Sequence, residues 1–299
     1  MILQHRKMDN KLVYKLQIAR RTQVSNNKIK ELEYSLRGYF GEVAFDKLSD
    51  KSLNNGITLR NLNYIVNNKI FQIDSLILMN GDLYIFEVKD FTSDLYYVDG
   101  QYYYADQSPC ERINNQMERT PKLFTLLLKN SQLHYNFHYY HAFINPTHKV
   151  YGYHATDKIL EQARICKFIS ENSQMPVGAY DIECCEKLLS LQDTSDPFNF
   201  RTPHNFHNFK KGVLCECMKS FYTKHSNRKY KCSSCNKIID CDHLLDSATQ
   251  EIKLIFPDER ITTHILKAWT KSLVSREKIR LFLNKRYRRH QLGSIIYYE

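Results

Sequence analysis

The sequence predicts an α/β (α+β) protein that continues into a small cysteine-rich module and a basic, helical C-terminal module. Three observations support this. The segment "NNKIKELEYSLRGYFGEVAFDKL" spaces its apolar residues mostly three or four apart, which is typical of a helix. Residues 57–89 resemble strands that reverse at Asn80-Gly81, the dipeptide most typical of a tight hairpin. Close cysteine pairs, followed by many basic residues, distinguish the last third of the chain.

The remaining elements follow from local patterns. Residues 11–48 are predicted to be helical until "SDKSLNNG" ends the pattern. "DLYYVDGQYYYAD" predicts a second hairpin with its turn at Asp99-Gly100. A helix should follow through "QMERTPKLFTLLLKN", with a bend or a break at Pro121. "FHYYHAF" then returns to a strand, and "SLQDTSDPFNFRTPHN" is predicted to be a linker.

Composition and charge narrow the class of protein. The 299 residues can fill more than one domain, and no run of eighteen apolar residues or signal-peptide core occurs, so we expect a cytoplasmic protein without a membrane partner. The net charge of +11 suits a polyanion, nucleic acid first and an anionic membrane second, although it could also serve solubility alone. Residues 263–290 carry nine Lys or Arg and one acid.

Four polar residues interrupt the apolar strands beside Asn80-Gly81. A two-residue turn there sets Asp74 opposite Glu87 and Gln72 opposite Lys89, and directly opposed residues point to the same side of a sheet. Opposed carboxylates destabilise a sheet unless a cation offsets them, and hard oxygen ligands suit Mg²⁺ or Mn²⁺. This arrangement predicts metal-assisted phosphodiester hydrolysis. The alternative is an ordinary salt bridge from Lys89 to one of the carboxylates.

A family resemblance supports the metal site. "LRGYFGEVAFDKL", "FQIDSLIL", "LYIFEVKDF", "QMERTPKLF" and "FINPTHKVY" occur in this order, and residues 30–150 resemble the nuclease-related domain (NERD) family of the PD-(D/E)xK nuclease superfamily. The resemblance implies a central mixed sheet flanked by helices, which is a restriction-endonuclease-like fold. It also implies Mg²⁺-dependent cleavage of nucleic acid.

The resemblance also implies roles for individual residues. Asp74 and Glu87 resemble the metal-binding carboxylates, and Lys89 resembles the catalytic lysine. Three further residues match positions of the family motifs: the acid of the first helix, the glutamine of the QID motif and the glutamine of the later helix, here Glu42, Gln72 and Gln116. This chain departs from the family by carrying Ser108-Pro109 where Asn-Pro is usual, and it has extra residues before Gln116. Both departures lie in the segment that leads to Gln116.

The cysteine cluster predicts a second, softer metal site. Cys215 and Cys217 form one close pair, and Cys232 and Cys235 form another. Four thiolates suit tetrahedral Zn²⁺ in a closed structural site, and the strand-like flanks indicate a zinc ribbon. The first pair has a single residue between its cysteines, which is a shorter spacing than the usual CxxC of the second pair. One of its ligands could therefore be replaced by a nearby side chain from the set His225, Cys241 and His243.

The histidines of "HYNFHYYHAF" are not predicted to bind a metal. His138 and His141 would face opposite sides of a strand, because successive side chains alternate. We therefore expect these histidines, with His134, at the edge of the core or on the surface.

The C-terminal segment has the pattern of a helix-turn-helix or winged-helix module. An apolar stripe includes Trp269, and Ser275 is a good N-cap for the helix "REKIRLFLN". "YRRHQLGSIIYY" could form a wing around Gly293. Seven basic residues are candidates for phosphate contacts: Arg276, Lys278, Arg280, Lys285, Arg286, Arg288 and Arg289. The alternative is a solvated basic helix pair packed on the ribbon.

Together these observations predict a metal-dependent endonuclease that binds and cleaves DNA. Alternative functions are a non-catalytic DNA-binding protein on a nuclease-like scaffold and an RNA-processing nuclease. The predicted organisation is an N-terminal helical lead, a nuclease-like domain, a connector, a zinc ribbon and a basic module, at residues 1–29, 30–150, 151–208, 209–240 and 245–299.

Overall fold

The structure is a computed structural model that describes residues 1–154, 156–193 and 201–299. It divides into two compact units. Of the described residues, unit 1 contains 1–8 and most of 34–193, and unit 2 contains 9–33 and 201–299. The predicted N-terminal lead is therefore divided between the units. Residue 155 and residues 194–200, within the predicted connector and linker, lie outside the described part of the chain.

Unit 1 is built on a five-stranded mixed sheet in the order β1-β2-β3-β6-β8. The first three strands are antiparallel, and β3, β6 and β8 run parallel. The strands of this sheet are β1 (Ile57–Val66), β2 (Lys69–Met79), β3 (Asp82–Lys89), β6 (Phe137–Phe143) and β8 (Ile159–Glu161). A smaller sheet contains β4 (Leu95–Val98), β5 (Gln101–Tyr103) and β7 (Val150–Tyr151). The prediction of a central mixed sheet is confirmed.

Helices cover both faces of the central sheet. The helices concerned are α2 (Asn26–Ser52), α3 (Glu111–Asn130), α4 (Gln162–Glu171) and α5 (Ala179–Ser190). Phe124 of α3 and Leu188 of α5 pack with Leu76 and Ile85 on one face. Phe45 of α2 and Ile165 of α4 pack with Phe86 on the other face. Strands buried on both sides explain the long apolar runs in this part of the sequence.

The Asn80-Gly81 turn forms as predicted. Both residues have positive φ, +52° and +82°, as the two-residue hairpin turn requires. The ladder keeps the predicted register from Met79–Asp82 to Ser75–Phe86 and ends there. The predicted extension of the ladder to the pairs Asp74–Glu87 and Gln72–Lys89 is wrong, because in the described part of the chain β2 beyond Ser75 pairs with β1 alone.

The side-chain alternation shifts by one residue where that ladder ends. On β1, Leu59 and Leu62 face the same core, although strict alternation would separate them. On β2, Ile73 and Leu76 do the same. Between the β1 residues lies Asn61, whose φ of +53° turns the backbone out of the regular strand conformation. Asp74 therefore lies at the point where the pleat changes phase.

Two helix predictions need correction. Residues 11–48 form two helices, α1 (Asn10–Arg21) and α2, because Thr22 adopts an extended conformation and caps α1 through its bond to the Ile18 carbonyl. Of the predicted bend or break at Pro121, the break is wrong, since α3 continues through this residue. Residues buried on both sides of Pro121 hold this helix against the sheet. This packing offsets a proline penalty of about 3 kcal/mol.

Unit 2 contains α1, a small three-stranded sheet, three helices and a terminal hairpin. The sheet has the order β11-β10-β9. The elements are β9 (Tyr222–Lys224), β10 (Lys229–Cys232), β11 (Ile238–Asp240), α6 (Cys241–Ile255), α7 (Thr263–Trp269), α8 (Arg276–Arg286), β12 (Arg289–Leu292) and β13 (Ile295–Tyr298). Ser275 caps α8 by accepting a hydrogen bond from the Lys278 N–H, as predicted. Among the described helices, none is long and apolar enough to cross a bilayer.

Candidate active site

The carboxylate site, as we name the group Glu42, Asp74, Glu87, Lys89 and Gln116, lies at one end of the central sheet. Glu42 comes from α2, and the preceding Gly41 lets this helix approach the end of β3. A Cβ atom at position 41 would lie only 2.9 Å from the Asp90 Cβ atom. Any larger residue there would push α2, and with it Glu42, away from the strand.

Strands β2 and β3 supply Asp74, Glu87 and Lys89. The Asp74 Oδ2 atom accepts a hydrogen bond of 2.9 Å from the Val88 N–H, so a neighbouring strand holds this carboxylate. Asp74 and Glu87 are both buried, and their carboxyl groups are close enough to hydrogen bond when one of them is protonated. The structure thus places the two predicted metal ligands side by side.

Lys89 is held by two oxygen atoms. Its Nζ atom donates to Glu87 Oε1 and to Gln116 Oε1, each at 2.8 Å. The Gln116 amide also donates to Glu87 Oε1, so α3 ties the lysine and the carboxylate together. Tyr139 of β6 donates to Glu87 Oε2 at 3.5 Å. Gln116 of α3 thus contacts both Lys89 and Glu87, although the sequence before it departs from the family pattern.

The sequence analysis did not identify Arg6, which is 3% exposed and lies beside Glu42. Its guanidinium donates to Glu42 Oε2, to both oxygens of Asp46 and to the backbone carbonyl of Asp74. No local pattern could have revealed Arg6, which is distant in sequence. Asp46 did leave a signal, because it follows Glu42 by four residues and so shares a helix face with it.

Burial and mutual repulsion dominate the electrostatics of this site. Burial, followed by the charge of Asp74, raises the pKa of Glu87 to about 8, and Lys89 opposes this shift. The same two causes raise the pKa of Glu42 to about 8, with Arg6 opposing. Burial and the charge of Glu87 also raise the pKa of Tyr139, which therefore remains a neutral donor. The carboxylates are thus held closer together than their charges favour.

This donor set fits a hard divalent cation. The raised pKa values of Glu42 and Glu87 show that their ionised forms are disfavoured here, and a nearby cation would favour those forms. Carboxylate oxygens are the ligands that Mg²⁺ and Mn²⁺ prefer, commonly one or two per ion. Asp74 and Glu87 are the residues placed to hold such an ion.

His141 lies beside Glu87 on the neighbouring parallel strand. The expectation that it would lie at the core edge or the surface is wrong, because this side chain is buried. Its Nδ1 atom is 2.8 Å from the Tyr102 hydroxyl, and among the residues that the structure describes its Nε2 atom has no hydrogen-bond partner. Burial and the charge of Lys89 lower the pKa of His141 to about 3, so the ring is neutral at neutral pH.

Gln72 lies apart from the other predicted residues. Its amide donates to Asn61 Oδ1 at 2.9 Å, on the exposed side of the shifted pleat. Arg119 donates to the Ile70 carbonyl at 2.6 Å and so ties α3 to the start of β2. The carboxylate site therefore forms without direct hydrogen bonds from these two residues.

The four-cysteine site in unit 2 contains Cys215, Cys217, Cys232 and Cys235. All four Sγ atoms lie within 4.8 Å of one another, and no other group of three or more His, Cys, Asp or Glu in the described residues meets that limit. Zn–S bonds of about 2.3 Å in a tetrahedron need similar spacings. The site can hold a metal such as zinc. Of the alternative ligands, His243 instead contacts Asp240, and Cys241 is hydrogen bonded to Tyr230.

The predicted phosphate-binding residues are all exposed. They lie on α8 and at the start of the terminal hairpin: Arg276, Lys278, Arg280, Lys285, Arg286, Arg288 and Arg289. The opposite side of α8 buries Ile279, Phe282 and Leu283. Arg286 also forms an ion pair of 3.5 Å with Asp246, and Lys278 donates to the Asn227 carbonyl. The helix therefore presents a basic surface to solvent.

Comparison with known proteins identifies the part of the chain that carries the carboxylate site. Residues 37–144 match the family described as Nuclease-related domain (NERD). No curated protein and no solved structure is significantly similar to the chain. The matched range includes the whole carboxylate site and also Asp46, Tyr139 and His141, whereas Arg6 lies outside it. The chain therefore contains a nuclease-related (NERD) domain at residues 37–144.

Proposed function

We propose that the protein is a Mg²⁺- or Mn²⁺-dependent nuclease that hydrolyses phosphodiester bonds of DNA. The observation that carries this proposal is the adjacency of Asp74 and Glu87, with Lys89 hydrogen bonded to Glu87 at the same end of the sheet. A salt bridge alone would need one carboxylate per lysine. Here two buried carboxylates and the nearby Glu42 compete for the available positive charge.

Asp74 and Glu87 would hold the ion, which when bound supplies Lewis-acid polarisation of the scissile phosphate. Water adds to phosphorus, the bond to the leaving oxygen breaks, and that oxygen gains a proton. Lys89 donates hydrogen bonds from Nζ to the attacking water or to a non-bridging oxygen, where negative charge develops. Gln116 keeps the lysine in position through its Oε1 atom. The predicted roles of Glu42 and Gln72 remain expectations from the family pattern.

We further propose that unit 2 binds the DNA. The basic surface of α8 and the terminal hairpin suits phosphate contacts, and a winged-helix-like arrangement would place α8 in a groove. Structural Zn²⁺ at the four-cysteine site would stabilise the predicted zinc ribbon of the same unit. A cytoplasmic location is part of the same proposal.

Cleavage of labelled duplex DNA tests the function. Wild-type protein should cleave with Mg²⁺ or Mn²⁺ and not with EDTA. Lys89→Ala should reduce the rate about 10²- to 10³-fold, as expected for losing one transition-state donor. Lys122→Ala is the matched control, since this lysine is exposed on α3 and pairs with Glu118 of the same helix. Its rate should not change.

The outcomes separate the competing functions. Equal cleavage by wild-type protein and Lys89→Ala would exclude the role of the lysine. DNA binding without cleavage in either metal, unaltered by Asp74→Ala, would favour the non-catalytic scaffold. Faster cleavage of RNA than of DNA of the same sequence would favour the RNA-processing alternative.

A further inference from the structure

The first residues of the chain are fixed against unit 1. Ile2 forms a parallel bridge with Thr58 of β1, and the Leu3 N–H donates to the Thr58 carbonyl at 3.1 Å. The Gln4 amide donates to the Arg60 carbonyl at 2.6 Å. These bonds place Arg6 beside the carboxylate site.

Four N–H donors of Arg6 form hydrogen bonds with groups of the carboxylate site and with the neighbouring Asp46. Nη1 donates to Glu42 Oε2. Nε and Nη2 donate to the two oxygens of Asp46, at 2.7 and 3.0 Å. Nη2 also donates to the Asp74 carbonyl oxygen at 2.7 Å. A planar guanidinium fixes all of these partners at once, which an ammonium group cannot do.

The charges around the site are unequal. Five linked carboxylates are present, at Glu42, Asp46, Asp50, Asp74 and Glu87. Three basic side chains contact them, from Arg6, Arg60 and Lys89. Among the described residues of this cluster, the formal charge with every acid ionised is therefore −2, which one divalent ion would balance.

We propose that Arg6 is a positioning residue that acts as a fixed counter-ion and limits the carboxylate site to one divalent cation, held by Asp74 and Glu87. This inference rests on the proposed function. Arg6 holds an oxygen of Glu42, the third carboxylate that a second ion would need. A second ion beside Glu42 would also lie next to the guanidinium, and the two like charges would repel each other.

Counting bound Mn²⁺ tests this inference without measuring cleavage. Calorimetric titration of zinc-loaded wild-type protein should give one Mn²⁺ per chain, and Asp74→Asn should abolish that binding. Arg6→Gln should bind a second Mn²⁺, because Glu42 is then released and the positive charge beside it is removed, while Asp46 keeps its ion pair with Arg60. Arg6→Lys keeps the charge without the several bonds, and it should bind one Mn²⁺ about tenfold more weakly than wild type.

Arg60→Gln is the matched control. Arg60 is also buried and also pairs with Asp46, but its ion pairs are with Asp46 and Asp50 rather than Glu42. This variant should still bind one Mn²⁺, which separates the position of Arg6 from a simple effect of net charge. A change to two ions in Arg60→Gln would contradict the assigned role of Arg6.

The wild-type protein and Asp74→Asn can overturn the inference even if the Arg6 variants do not fold. Two Mn²⁺ ions per wild-type chain would overturn the role of Arg6 and leave a metal-dependent nuclease intact. No bound Mn²⁺ would overturn both the role of Arg6 and the metal site of the proposed function. One Mn²⁺ that remains in Asp74→Asn would place the ion elsewhere and overturn the inference.

Discussion

A buried arginine contacts acidic groups in each unit, Arg21 in unit 2 and Arg6 in unit 1, and the two arginines differ in what surrounds them. In unit 2, Arg21 pairs with Glu251 at 2.8 Å and donates to Gln17 and to two backbone carbonyls. The Glu251 carboxylate also accepts from the Trp269 indole and the Leu214 N–H. In unit 1, Arg6 faces several carboxylates rather than one.

The comparison shows how a buried structural ion pair differs from a cation site. Arg21 and Glu251 balance each other, and their remaining donors and acceptors have protein partners. Burial raises the pKa of Glu251, and the charge of Arg21 opposes this shift. Around Arg6 the acids outnumber the bases, and the charge of Asp74 adds to burial in raising the pKa of Glu42 and Glu87. A buried charge cluster that the protein leaves unbalanced is therefore the better candidate for binding an ion.

The largest expected effect is the loss of stability when the balanced pair of Arg21 and Glu251 is broken. Glu251→Gln keeps the shape but leaves Arg21 buried without a counter-charge, so the free energy of unfolding should fall by about 3–5 kcal/mol. Urea unfolding followed by the fluorescence of Trp269, the single tryptophan, measures this in unit 2. The exposed Glu259→Gln is the control and should change little. A similar small change for Glu251→Gln would remove the contrast between the two arginines.

The unbalanced cluster should instead respond to metal. Mn²⁺ at about a hundred times its dissociation constant should stabilise unit 1 by about 2.7 kcal/mol, because the ion binds only the folded state. Hydrogen exchange of the β2 and β3 amides, measured by mass spectrometry, reports this directly. Asp74→Asn should show no Mn²⁺-dependent protection. Equal protection in the variant would show that the ion binds elsewhere.

Acid titration tests whether His141 belongs in the charge count. Its pKa is lowered from 6.5 to about 3 in the folded state, so the unfolded state binds more protons between these values. The free energy of unfolding should therefore fall as the pH decreases below 6.5, by at most about 1.4 kcal/mol per pH unit from this group.

His141→Gln should reduce that pH dependence, as measured by urea unfolding in EDTA at several pH values. His138→Gln is the control, because this histidine lies on the same strand, is half-buried and contacts Asp82. An unchanged slope in His141→Gln would mean that the buried ring is charged, and the formal charge of the cluster would then be −1.

The smallest expected effect is on the metal-free site. In EDTA, Asp74→Asn removes one of two adjacent carboxylates and keeps an oxygen for the Val88 N–H, so it should stabilise unit 1 by about 1 kcal/mol. Thermal unfolding followed by circular dichroism measures the change. Asp82→Asn, on the same hairpin and half-exposed, should not stabilise the protein. Destabilisation by Asp74→Asn would show that the cluster is balanced after all.

The sequence could predict features that depend on neighbouring residues. The Asn80-Gly81 turn, the Ser275 cap and the spacing of the cysteine pairs each rest on a few adjacent positions. The same turn brings β2 beside β3 and so indicated that Asp74 lies near Glu87 and Lys89, although the regular ladder ends one pair before Asp74. The family resemblance added Glu42 and Gln116, which come from other elements.

The remaining features depend on contacts between distant parts of the chain. Arg6 reaches Asp74 from sixty-eight residues away, so no local pattern identifies it. The pleat shift at Asn61 depends on the left-handed backbone of one residue and separates Gln72 from Lys89. The continuation of α3 through Pro121 depends on packing against the sheet, which outweighs the local preference.

The parallel pairing of β3 with β6 has a consequence for the order in which the protein folds. The hairpin of β2 and β3 joins neighbouring segments, so Asp74, Glu87 and Lys89 can come together early. Gln116 and Tyr139 arrive only after residues 90–136 close a long loop, which slows the search because chain entropy is lost before contacts form. We therefore expect Lys89 to form its hydrogen bond with Gln116 Oε1 late, close to the rate-limiting step of folding.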